Sequence, residues 1–72
     1  MYKRQLLCLA AKASLVLKRF GNARRLIDEA VRQHPDFAAA HDLSGDLLLI
    51  QGHAESAVKA YEQAMRLSLI HI

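Results

Sequence analysis

Residues 38–66 read AAAHDLSGDLLLIQGHAESAVKAYEQAMR, and the chain already carries a first version of this stretch upstream. Displacing the sequence against itself by 34 positions brings Leu9 onto Leu43, Leu15 onto Leu49, Ala23 onto Ala57, Ala30 onto Ala64 and Arg32 onto Arg66. Related residues fill the intervals: Ala11 with Gly45, Val16 with Ile50, Arg25 with Lys59, Ile27 with Tyr61, Asp28 with Glu62 and Val31 with Met65. Self-similarity at a fixed period of this length marks a stacked repeat, in which each copy is one supersecondary unit.

Each copy has the periodicity of two helices. Leu6, Leu9, Ala10, Ala13 and Leu17 recur at helical spacing, as do Leu43, Leu47 and Ile50. Breaks are expected at residues 19–22 and 51–53, where Gly21 and Gly52 free the backbone for a turn. The following helices run from about residue 22 to 33 and from about 54 to 66. One apolar face is formed by Ala23, Leu26, Ile27, Ala30 and Val31, the other by Ala57, Val58, Tyr61, Ala64 and Met65. Pro35 stops the second helix and is expected in the first turn of the third, with Asp36 beside that helix's positive end. The expected fold is all-α: two antiparallel helix–turn–helix hairpins, four helices in all, stacked as an α-solenoid fragment.

The second unit places Gly45, Gly52, Ala57, Tyr61 and Ala64 in a small–small–small–aromatic–small order, and the first unit carries Ala11, Ala23, Ala30 and a terminal Pro35. Small residues let hairpin helices approach closely, and Tyr61 and Ile27 fill the space beside them. This pattern resembles the tetratricopeptide repeat family over residues 6–66. His41 and Leu7 stand where that family often has Trp, Leu48 and Ser14 where it often has Tyr, and Lys18 where it has a loop glycine.

Both ends read differently. The last six residues, LSLIHI, are the translation of CTGTCTCTTATACACATCT, a transposon end used to tag DNA for sequencing. The first five, MYKRQ, follow from its opposite strand when GTG serves as the start codon. Residues 1–5 and 67–72 are therefore expected to be adapter-derived, leaving 6–37 as the first unit and 38–66 as the second. The chain has ten Lys and Arg against seven Asp and Glu, and setting aside Lys3 and Arg4 leaves eight against seven. A basic character that would point to nucleic acid or an acidic membrane largely disappears.

No constellation for chemistry emerges. His34, His41 and His53 lack an i, i+4 partner among His and Cys, so no metal site is expected. Ser14, Ser44 and Ser56 have no base at a useful spacing, and Gly21, Gly45 and Gly52 are isolated rather than gathered in a phosphate loop. The expectation is neither an enzyme nor a cofactor protein. Cys8 is the single cysteine and reads as a packing residue; a lone thiol suits a reducing compartment such as the cytoplasm. Lys18, Arg19, Arg24 and Arg25 gather around one turn with only Phe20 as an aromatic, which reads as solvated charge rather than a nucleic-acid surface. No apolar run approaches the ~18 residues that span a bilayer.

The resemblance implies a protein- or peptide-binding scaffold whose first helices line a concave groove. Carried over position by position, the groove takes Cys8, Lys12, Leu15 and Val16 from the first unit (Gln5 also, in the adapter segment) and Ala39, Asp42, Asp46, Leu49 and Ile50 from the second. Asp42 and Asp46 are a turn apart on one face and suit a Lys or Arg of a partner. A single lysine beside two aspartates argues against the carboxylate-gripping sub-class of the family. A docking arm of a larger enzyme and a structural spacer are the alternative roles. Two units are fewer than the roughly three that such arrays need for stability, so self-association through exposed ends is expected.

Overall fold

The computed structural model describes residues 3–70 and contains four helices: α1 (Lys3–Val16), α2 (Phe20–Gln33), α3 (Ala38–Ile50) and α4 (Ala54–Ile70). The adapter reading of Met1, Tyr2, His71 and Ile72 lies outside the described residues. α1 and α4 continue without a break through residues 3–5 and 67–70, the rest of those segments. No strand occurs among the described residues.

α1 packs on α2 and α3 packs on α4, giving two hairpins, and α3 also packs on both helices of the first hairpin. α4 packs chiefly on α3. The result is a slab of 33 × 31 × 17 Å, barely two helices thick. Such a slab buries little, and its core reflects that. Cys8, Ala11, Ile27, Ala30, Ala40, Leu43 and Leu47 form one cluster, flanked by Leu7, Leu15, Phe20, Leu26, Val31 and Phe37. Most of the buried positions are small, which is what lets the helix axes come close.

The second hairpin turn falls at residues 51–53 as expected, whereas the first departs from the sequence expectation. α2 begins at Phe20, two residues earlier than read, so Gly21 sits inside its first turn and nothing lies near it. The reversal falls instead on Lys18, whose φ is +63°. Lys18 N–H donates to Leu15 C=O (3.0 Å) and Arg19 N–H to Ser14 C=O (2.8 Å). These paired bonds close the last turn of α1 in a Schellman motif, which needs a left-handed residue just beyond the helix. The second hairpin repeats it 34 residues on: Gly52 has φ +86°, its N–H donates to Leu49 C=O (3.1 Å), and His53 N–H donates to Leu48 C=O (2.8 Å). Arg19 and His53 then begin the next helices through their carbonyls, which accept from Ala23 and Ala57 N–H.

The link between hairpins also corrects the reading of Pro35. Pro35 and Asp36 form a turn, and α3 starts at Ala38 with Phe37 as its N-cap. Proline holds the preceding His34 out of helical geometry, at φ −134° and ψ 67°. Phe37 N–H donates to His34 C=O at 3.0 Å, while its ring packs on the core. From the first turn of α3, His41 reaches back and donates through Nε2 to the Pro35 carbonyl at 2.8 Å. Asp36 is thus outside the helix, and the link is held by His41 and Phe37.

Candidate interaction groove

Residues of α1 and α3 line a trough between the two helices. It has a volume of about 350 Å³ and is lined by Lys12, Leu15, Val16, Leu43, Asp46, Leu49 and Ile50. Six of these are residues carried over as groove positions from the sequence. Leu43 is the addition; it is buried and forms the floor. Its signal was the helical spacing from Leu43 to Leu47 and Ile50, which served to define the helix rather than the site.

The remaining three expected positions lie elsewhere. Cys8 is buried in the core cluster, where α3 closes over it, and burial pushes its thiol pKa up. A raised pKa keeps a thiol protonated and unreactive. Ala39 and Asp42 border a second depression, with Ala38, Tyr61, Ala64, Met65 and Ser68. Ala39 and Asp42 are both exposed and do not line the trough.

Asp46 is tied into the fold as well as into the trough. Tyr61 Oη donates to Asp46 Oδ1 across the α3–α4 contact. That bond, together with burial and the negative charges of Asp46 and Asp42, pushes the Tyr61 pKa up to about 12. The ring in turn lies against Gly45: a Cβ built there would meet Tyr61 Cε1 at 2.6 Å. The first hairpin has Ala11 and Ile27 at the equivalent places, an extra methyl opposite a smaller side chain. The Tyr61–Asp46 bond therefore fixes one side chain of the trough wall, while Asp42 stays free in solvent.

The other polar groups do not assemble into a site. No group of three or more His, Cys, Asp and Glu suited to a metal occurs among the described residues. His34 Nε2 is enclosed without a hydrogen-bond partner among the described residues, and His41 is engaged at the Pro35 carbonyl. Lys18, Arg19, Arg24 and Arg25 are all exposed. Arg24 makes a 3.9 Å contact with Asp28 one turn along α2 in open solvent, where such pairs contribute little. Arg4, in the segment read as adapter, stacks its guanidinium 4.7 Å from the Phe37 ring centroid. No helix among the described residues is long and apolar enough to cross a membrane.

Comparison with family models, curated proteins and solved structures gives no match for this chain. The case for a function therefore rests on the fold and the trough.

Proposed function

We propose that this chain is a pair of tetratricopeptide-type repeats that binds a peptide segment of another protein along the α1–α3 trough. The observation that carries the reading is the trough itself: Leu15, Val16, Leu43, Leu49 and Ile50 supply a continuous apolar lining, with Lys12 and Asp46 at its edges. Val16, Leu49 and Ile50 are exposed despite being large and apolar. Apolar side chains grouped on a concave surface and rimmed by charge suit an apolar anchor on a partner. The occupant would present aliphatic or aromatic side chains to the trough and a Lys or Arg towards Asp42, one helical turn from Asp46.

The test is selection of a displayed random-peptide library on the intact chain, followed by affinity measurement with Val16→Glu and Ile50→Glu. Both positions are exposed, so the fold is retained. Peptides selected on the wild type should lose about tenfold or more in affinity to each variant, about 1.4 kcal/mol. Asp42→Lys should shift selection away from cationic peptides. If selected peptides bind all three variants as well as the wild type, the trough is not their site; if none is selected, the chain is a spacer.

A further inference from the structure

Asp46 is the acidic residue of the trough and Lys12 its basic one. They occupy the same place in the two units, 34 positions apart, on α3 and α1. Lys12 stays exposed although α3 packs beside α1, so the place they share belongs to the groove and not to an end of the chain. The second helix of each hairpin then treats the two charges differently. Tyr61 of α4 donates its hydroxyl hydrogen to Asp46 Oδ1. The counterpart of Tyr61 on α2 is Ile27, whose side chain has no polar atom. Among the described residues no side-chain hydrogen bond or ion pair engages Lys12.

The hold on Asp46 depends on a close approach. A Cβ built at Gly45 would lie 2.6 Å from Tyr61 Cε1, so only a glycine lets the ring sit this near α3. With the ring there, its hydroxyl reaches the very next residue, Asp46. Ala11 and Ile27 hold the equivalent places in the first hairpin and make no such link. A carboxylate has two oxygens and about four acceptor sites. The Tyr61 bond takes one of them, fixes the group, and leaves the others for a donor in the trough.

We propose that Tyr61 is a positioning residue for ligand recognition: through Asp46 it sets the preference of the trough for peptides with a cation beside their apolar anchor. The inference rests on the groove reading and deepens it. A side chain that is free in solvent loses rotamer freedom when it pairs with a bound group, and that cost weakens the pairing. Asp46 has already given up this freedom in the fold. It therefore discriminates more sharply between a cationic and a neutral side chain. The apolar contacts at Leu15, Val16, Leu49 and Ile50 do not depend on the Tyr61 hydroxyl.

The test uses the whole chain and one selected peptide, synthesised with either lysine or norleucine at the position flanking its apolar anchor. The ratio of the two affinities reads charge recognition alone. Tyr61→Phe keeps the ring on Gly45 and removes only the hydroxyl. It should lower the ratio by about threefold or more, with affinity for the norleucine peptide unchanged. Asp46→Asn keeps an acceptor for the Tyr61 hydroxyl, so it removes the charge and spares the fold. It should lower the ratio as well, and Tyr61→Phe added to it should change nothing further. In an Asp42→Asn background Tyr61→Phe should retain its effect. Circular dichroism checks that each variant keeps its helix. An unchanged ratio in Tyr61→Phe overturns the proposal, and leaves the groove reading standing if Val16→Glu and Ile50→Glu still weaken binding. An equal loss for both peptides also overturns it, since that is what a merely structural role produces. So does a wild type that binds both peptides equally. If no peptide is selected at all, the groove reading fails and this inference with it.

Discussion

Lys18 and Gly52 occupy the same place in the two hairpins, and exchanging residue type between them isolates what a left-handed turn costs this fold. Lys18 sits at φ +63°, a conformation that costs an L-residue about 1–2 kcal/mol relative to its ordinary regions. Lys18→Gly removes that strain but gives the unfolded chain more freedom, a loss of about 0.4–1 kcal/mol. The difference is a net stabilisation of about 0.5–1 kcal/mol. In a domain of this size that raises Tm by about 2–8 °C. Gly52→Ala runs the comparison in reverse. A Cβ at position 52 meets nothing within 4 Å, so no clash contributes and only the φ of +86° matters. Its expected effect is a loss of about 0.5–1 kcal/mol. The assay is urea unfolding followed by circular dichroism, at one low protein concentration so that association does not enter the result. The reasoning is refuted if Lys18→Gly is neutral or destabilising while Gly52→Ala is tolerated.

Three further outcomes follow from the packing. Gly45→Ala should destabilise by about 1–3 kcal/mol less the ~1 kcal/mol gained in helix propensity, since the new methyl meets a Tyr61 ring held by Asp46. Adding Tyr61→Ile, which recreates the Ala11–Ile27 pairing, should recover most of the loss in a double-mutant cycle. Ala30→Leu and Ala64→Leu should each overpack a hairpin and cost about 1–3 kcal/mol, more at the deeper Ala30; a rise in Tm for either would sink the packing assignment. The third concerns pH. Tyr61 is held protonated in the fold, its pKa raised from 10.0 to about 12, so the unfolded chain loses this proton first. Its contribution is complete below pH 10 and falls as pH climbs to about 12, because the unfolded state binds fewer protons there. Stability against pH should decline less steeply over that window in Tyr61→Phe than in the wild type; equal slopes would mean that Tyr61 is not the group responsible.

The architecture was legible because the repeat is read twice. Apolar spacing placed four helices, and the 34-residue register paired them into hairpins that the structure contains. The turn was misplaced for a local reason: Gly21 looked like the flexible residue, while the left-handed position is the one aligned with Gly52, occupied by Lys18. The start of α3 was misplaced because Pro35 suits a helix N-terminus in general, whereas here Phe37 needs the core and His41 needs the Pro35 carbonyl. At the trough, Lys12, Leu15, Val16, Asp46, Leu49 and Ile50 are positions carried over from the family resemblance, and they line one depression. Cys8, also carried over as a groove position, is buried in keeping with its reading as a packing residue, in the cluster that α3 closes some thirty residues away. The Tyr61–Asp46 bond lies between helices and had no signal in either helix alone.

The central claim is that the α1–α3 trough is the surface this chain offers to a partner. It is tested most directly by amide NMR of the intact chain titrated with a peptide selected on it. The account predicts that the perturbed amides cluster at Lys12, Leu15, Val16, Asp46, Leu49 and Ile50, with Asp42 responding when the peptide carries a cation. Perturbations centred on Arg24, Arg25 and Arg32 of α2, leaving the trough untouched, would contradict it.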